Sequence, residues 1–271
     1  MGVALWYCPK KSSILHMELS NLMLSLQSLF PDAPDIHTPH ITITSGLNVQ
    51  DSKKILTTVV LALKSTRNKA RERSSTVNSV ASAGSLSSVS AAARDSTYSN
   101  STSGGRARSG SGLKLPRSNA STTTTTPARD EESGLTFQRL SLGSTFFTRV
   151  KLDIAKENNK VLLSLVKLIR DMYVPKQQDN AKYVINEYQP HVSLVYSDRL
   201  PSRAEYLNIV NRIADAMDCE IDPTSGAIVD DAMHTSDSLF SNAWSMLNGT
   251  FMVVNCVGPI EEWEVLDSVD L

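Results

Sequence analysis

Between Thr66 and Gly134 the alternation of apolar and polar residues that builds secondary structure disappears, and this gap dictates how the rest of the chain must fold. Roughly a third of the segment is Ser or Thr, residues 122–126 are all Thr, and large apolar side chains are almost absent. Such a stretch has too little apolar surface to offset its ordering entropy. It carries Arg67, Lys69, Arg71, Arg73, Arg94, Arg106, Arg108, Lys114, Arg117 and Arg129 against few acids, so we read residues 66–134 as a basic, disordered insert. A surface-loop insertion of this kind needs no function. An RNA-contacting or phosphorylated arm is the other reading. Any core must be assembled from the two flanking pieces, residues 1–65 and 135–271, which together are about the size of one domain.

Composition excludes several classes. Hydrophobic residues make up 41% of the chain and charged residues 20%, an ordinary globular balance. The formal charge of −1 provides no global basic field, so a preference for an anionic ligand has to come from a local site. Cys8, Cys219 and Cys256 are far apart, odd in number and without metal-type spacing, which suits a reducing compartment. The first residues form a short apolar patch with no basic flank before Pro9, Lys10 and Lys11, unlike a signal peptide. No apolar run approaches the roughly 20 residues that span a bilayer. We therefore expect a soluble protein, at most peripherally attached to a membrane, and we expect a monomer.

In the first piece, Val3–Cys8 reads as a buried strand. Ser12 or Ser13 then caps a helix with Leu15, Leu19, Leu22, Leu26 and Leu29 at helical spacing, ending near Phe30. Residues 40–44 alternate as a strand, and Asp51 or Ser52 caps a second helix with Ile55, Leu56, Val59, Val60 and Leu63 inward. In the second piece, residues 135–142 and 145–154 read as a hairpin. A helix over 158–173 follows, with Val161, Leu162, Leu165, Leu168, Ile169 and Met172 as its apolar face. Next come a strand over 191–196 and a helix over 202–217. Strands near 243–247 and 250–257 joined by a type I′ turn at Asn248-Gly249 come next, then a last strand over 263–266. The two pieces are loosely alike, which suggests an internal duplication. No element is assigned between residues 221 and 240.

The chemistry lies in two short strands. Of five histidines, only His40 and His191 share a context: Pro39-His-Ile-Thr-Ile and Pro190-His-Val-Ser-Leu. Residues i and i+2 of a strand share a face, so each strand sets an imidazole beside a hydroxyl, Thr42 or Ser193, while its apolar residues face the core. One such motif is weak evidence, but two copies among five histidines are not readily a coincidence. Opening a cyclic phosphodiester needs a base for the attacking water and an acid for the leaving ribose oxygen, and histidine can serve as either near neutral pH. The two hydroxyls could stabilise charge on the phosphate oxygens. The scheme requires neither metal nor cofactor, and which histidine is base is not legible. His37 with His40 and Asp35 fits no metal template. His16 and His234 read as surface residues.

These residues also carry a resemblance. The paired motifs resemble those of the two-histidine phosphoesterase superfamily. The opening Ala-Leu-Trp-Tyr-Cys-Pro, Ser-Leu-Phe-Pro-Asp and the closing Glu-Glu-Trp-Glu-Val-Leu resemble the fungal cyclic phosphodiesterases in particular. The resemblance implies an α+β fold of two pseudo-symmetric lobes, antiparallel sheets with helices outside and a central groove. It implies hydrolysis of ADP-ribose 1″,2″-cyclic phosphate, a by-product of tRNA splicing, and of nucleoside 2′,3′-cyclic phosphates to 2′-phosphates, and an association with the Golgi. By position, His40 and His191 are the acid/base pair, Thr42 and Ser193 the phosphate contacts, Tyr196 a further site residue, and Trp6 a neighbour of the base or ribose. Tyr196 is an odd number of residues from His191 and Ser193, so an ideal strand turns it to the opposite face unless the strand ends or bulges after Leu194. Trp6 reads more readily as core than as a ligand contact. The alternatives are a non-catalytic RNA-end binding module and, within catalysis, an RNA-directed phosphodiesterase built on the same fold.

Overall fold

The computed structural model describes residues 2–36, 38–82, 135–157, 159–175, 179–229, 245–246 and 248–271, with side chains of the second helix described to residue 69. In chain order the elements are β1 (Val3–Pro9), α1 (Ile14–Gln27), β2 (Ile41–Leu47), α2 (Ser52–Ser82), β3 (Phe137–Ser141), β4 (Val150–Ile154) and α3 (Lys160–Tyr173). There follow α4 (Asn180–Lys182), running on into a π-turn at Tyr183–Glu187, then β5 (His191–Val195), α5 (Arg203–Met217), β6 (Glu220–Ile221), β7 (Ile228–Val229), β8 (Gly249–Asn255) and β9 (Glu264–Asp270). The fold is α+β. Residues 1–71 and 130–271 form one compact unit, and of the second, 72–129, only the end of α2 is described.

Seven strands make one antiparallel sheet in the order β3-β4-β5-β2-β1-β8-β9. Two strand–helix–strand units recur within it, β1-α1-β2 and β4-α3-β5, each joining antiparallel neighbours. The helices cross over: α1 packs against β5 and α5, and α3 against β2. Each motif strand is therefore covered by the helix of the other unit. Ile41, Ile43, Val192 and Leu194 point to this helical side and join Leu5, Tyr7, Leu19, Leu26, Leu165 and Ile169 in the main core. Strand alternation then turns His40, Thr42, His191 and Ser193 to the face away from the core.

Several expectations hold and others are corrected. Ser13 caps α1, accepting from the His16 amide at 3.1 Å, and Ser202 with Glu205 closes a capping box on α5. Asn48, rather than Asp51 or Ser52, caps the turn that leads into α2. That helix continues past residue 66 to Ser82, although among its described side chains the last buried one is Leu63. The stretch Lys69-Ala-Arg-Glu-Arg73 is rich in strong helix formers and has no Gly or Pro, so helix propagates beyond the core contact. The rest of the expected insert, 83–134, lies outside the described residues. On α3, Met172 is exposed and Arg170 takes the inward place, donating to Thr44 and Asn180 and lying over the Tyr183 ring. Residues 220–229, largely within the stretch that has no element assigned from sequence, hold the small β6–β7 hairpin.

The expected turn at Asn248-Gly249 is not a hairpin. Both edges of β8 are occupied, by β1 along its whole length and by β9, so no strand over 243–247 can pair with it. Most of that segment is outside the described residues. Gly249 is needed for close approach instead of for a left-handed backbone. It stands opposite Pro9, and a Cβ there would lie 2.6 Å from the Cys8 carbonyl oxygen and collide with the Tyr7 ring. We expect Gly249→Ala to destabilise the protein by about 1–3 kcal/mol, as overpacking does. Urea unfolding checks this; unchanged stability would contradict the close packing of β1 on β8.

Candidate active site

The site is built where β2 meets β5. One residue pair, Ile41 opposite Val192, joins these strands. Extending that antiparallel register by one residue each way sets His40 level with Ser193 and Thr42 level with His191, so the two motifs are related by a local twofold. On a regular sheet such a diagonal places the two imidazole-bearing residues about 7–8 Å apart. A phosphate group and a water fit in that span.

Both rings are held in the same way. His40 Nδ1 lies 2.8 Å from the Thr38 carbonyl oxygen and His191 Nδ1 lies 2.8 Å from the Gln189 carbonyl oxygen. A proline between carbonyl and histidine keeps the preceding residue extended. Because a carbonyl can only accept, the contact assigns the proton of the neutral ring to Nδ1 and leaves Nε2 with a lone pair. The rotor and the tautomer of each imidazole are thus fixed by its own strand entry.

Their surroundings differ. His40 is buried and stacked on Trp6, with ring centroids 3.7 Å apart and planes 12° from parallel. The Tyr196 hydroxyl is 3.4 Å from His40 Nε2. Burial pushes the His40 pKa down to about 4; the Thr38 carbonyl opposes this, and nearby His191 adds to it. His191 is less buried and lines a cavity of about 840 Å³ together with Thr42, Lys151, Arg139 and Glu187. Its pKa is also lowered by burial; the Gln189 carbonyl and Asp153 oppose the shift, while Lys151 adds to it. Both imidazoles are therefore neutral at pH 7 in the free protein.

The other predicted residues are brought to the same place with differing freedom. Thr42 lines the cavity, and its hydroxyl has no hydrogen bond among the described residues. Its carbonyl accepts from the Tyr188 hydroxyl at 3.0 Å, which pins β2 from the cavity side. Ser193 does not mirror Thr42: its hydroxyl donates to the Phe147 carbonyl at 2.8 Å. Tyr196 reaches the site because β5 ends at Val195, which releases it from strand alternation. Burial holds its phenol well above the usual value, so it stays protonated. Trp6, opposite Thr42 in register, is both core and site: it packs with Ala4, Cys8, Val254 and Cys256 and forms the floor beneath His40.

Two groups escaped the sequence reading. Phe147, Tyr196 and Trp263 form an aromatic wall beside Trp6, with Phe147 and Trp263 stacked at 5.8 Å. Lys151 and Asp153 stand opposite Ser193 and His191 on β4. Asp153 accepts from Lys151 at 2.5 Å, from Arg139 at 3.3 Å and from Ser141. Burial raises its pKa, but these hydrogen bonds outweigh burial and hold the carboxyl below the usual range. The period-two spacing of Lys151 and Asp153 in a strand was the available signal. His37 lies outside the described residues, and among those described no cluster of three His, Cys, Asp or Glu could hold a metal. Nor is any described helix long and apolar enough to cross a membrane.

Comparison with known proteins places the chain in a family. The family model described as "Cyclic phosphodiesterase-like protein" matches residues 1–98 and 111–271, a span that includes both histidine strands. A Saccharomyces cerevisiae protein named 2′,3′-cyclic-nucleotide 3′-phosphodiesterase is 32% identical, with the whole of both chains covered. Proteins of the same name from Eremothecium gossypii and Kluyveromyces lactis are each 28% identical, covering 100% of both chains in the first case and 99% of this chain and 98% of the relative in the second. With nearly every residue inside the match, and both histidine strands among them, the chain belongs to the cyclic phosphodiesterase-like family, within the two-histidine phosphoesterases.

Proposed function

We propose that the protein is a cyclic phosphodiesterase that opens nucleoside 2′,3′-cyclic phosphates to 2′-phosphates and ADP-ribose 1″,2″-cyclic phosphate to the 1″-phosphate, so consuming by-products of tRNA splicing. The observation that carries the reading is the joining of the two Pro-His strands through Ile41 and Val192, with both imidazoles anchored at Nδ1 by the carbonyl two residues upstream. The names of the full-length relatives support the substrate class. In this reading the sheet arms on either side of the β2–β5 junction are the two lobes, and the space over the junction is the groove.

His40 is assigned as base and His191 as acid. His40, buried against Trp6, binds a proton more weakly; His191 is less buried and faces the open cavity, so it loses less of its proton affinity to desolvation. His40 Nε2 takes a proton from water as the water oxygen bonds to phosphorus. The bond from phosphorus to the ribose 3′ oxygen breaks, and that oxygen takes the proton from His191 Nε2. The rings end with exchanged protonation, and solvent resets them. Thr42 and the protonated Tyr196 hydroxyl face the phosphate oxygens, and the wall of Trp6, Trp263 and Phe147 flanks the base or ribose. Residues 66–134 form no part of this chemistry.

Phosphorus NMR of the purified chain with 2′,3′-cyclic AMP and with ADP-ribose cyclic phosphate tests the reading: ring opening to the monoesters is expected, and binding without conversion would instead mark a recognition module. His40→Ala and His191→Ala should each lose at least about 100-fold in rate. An aryl phosphodiester with a 4-nitrophenolate leaving group needs no acid, so it should restore turnover by His191→Ala and not by His40→Ala; the reverse pattern would exchange the roles. Because both folded-state pKa values lie below the ordinary 6.5, kcat/KM should fall as pH rises above the His191 value and fall again as His40 protonates near pH 4, giving an optimum on the acid side of 6.5. The same depression makes the neutral rings favour the folded state. Their stability contribution is fully present above about pH 6.5 and is lost as pH drops towards 4. Deleting residues 83–134 should leave turnover of small cyclic phosphates unchanged.

A further inference from the structure

We propose that Lys151 is an additional phosphate-contacting residue of this site, held in place by Asp153; the inference rests on the phosphodiesterase reading and adds a residue to it. Three observations point to it. In register, Lys151 stands opposite Ser193 and Asp153 stands opposite His191, so the lysine shares the face and the strand level of the second histidine motif. Its side chain lines the same cavity as Thr42 and His191, and only 16% of it is exposed. Its ammonium makes one hydrogen bond among the described residues, to Asp153 at 2.5 Å. An ammonium has three donors, so two remain to turn towards the cavity.

The supporting shell favours a ligand over a simple ion pair. Asp153 is already satisfied by Arg139 and Ser141 as well as by Lys151, so the carboxylate does not depend on the lysine for its partners. What the lysine adds is a fixed positive charge beside His191. Ring opening converts a singly charged diester into a monoester that gains a second charge, and a preoriented cation at the phosphate stabilises that gain. The hydroxyl in the matching position on the first motif, Thr42, is free to meet the phosphate, whereas Ser193 is committed to the Phe147 carbonyl. Lys151 sits where it supplies the donor that Ser193 withholds.

The test compares Lys151→Met and Lys151→Arg with the unaltered full chain, using 2′,3′-cyclic AMP as substrate and 2′-AMP as product inhibitor. Lys151→Met should lower kcat/KM by about 10- to 100-fold and weaken inhibition by 2′-AMP at least about tenfold, with part of both restored in Lys151→Arg. The alkaline limb of the pH profile should move to higher pH, because the charge that disfavours protonated His191 is gone. A merely structural ion pair would move none of these in a folded variant, and values within about twofold of the unaltered protein would overturn the proposal. Should Lys151→Met not fold, Lys151→Arg identifies the Lys151 ammonium signal in proton–nitrogen NMR of the unaltered protein. Saturating 2′-AMP must shift that signal, and an unmoved signal overturns the proposal. If the unaltered protein fails to open the cyclic phosphate, it is the phosphodiesterase reading that falls; normal turnover with an indifferent lysine removes Lys151 alone.

Discussion

The contact between Ile41 and Val192 is the constraint on which the rest of the structure depends. It is the sole paired position between β2 and β5, and it fuses two strand–helix–strand units into one sheet. Both side chains are fully buried under helices that belong to the opposite unit. Burying two such residues contributes a few kcal/mol by area alone. Its structural effect is larger, because strand alternation converts one buried apolar pair into a quartet of polar side chains on the other face. A slip of one residue at this position would turn the imidazole of the slipped strand into the core and separate it from the other.

Around that quartet the protein has made an unequal environment from near-equal motifs. The imidazole anchors match to the tenth of an ångström, yet one ring is buried between Trp6 and Tyr196 and the other opens on a polar cavity. Desolvation is the leading cause of the lowered proton affinity of both rings. In the free protein both are therefore neutral, and an anionic phosphate arriving between them favours protonation of the one less desolvated. In the proposed mechanism that ring is His191, the less buried of the two, which opens on the cavity. Unequal burial is thus what the proposed division of acid from base rests on.

The histidine pair is legible in the sequence because alternation and hydroxyl spacing repeat twice, and helices α1, α3 and α5 are legible because their apolar residues recur at helical intervals. Tyr196 was ambiguous since its side depends on where a strand ends, a boundary set by tertiary pairing. Gly249 was misread because an Asn-Gly pair signals a turn only when the strand on one side has a free edge, and β8 has none. The run of α2 beyond residue 66 is not legible from periodicity, because a helix can lose its apolar pattern and still be extended by propensity alone. Lys151, Asp153 and Arg139 escaped notice because charged residues on a strand read as a solvated face until a second strand is laid beside them. The freedom of Thr42 and the commitment of Ser193 depend on the Phe147 carbonyl, 46 residues away, and no local pattern reports it.

The central claim is that both imidazoles act on one phosphorus atom in one step. A double-mutant cycle measures this most directly, with kcat/KM for 2′,3′-cyclic AMP determined for the unaltered protein, His40→Ala, His191→Ala and the double variant. Residues that act as a unit are strongly non-additive, so the double variant should lose scarcely more than the worse single one. A loss equal to the product of the two single losses, or a single variant with near-normal activity, would contradict it.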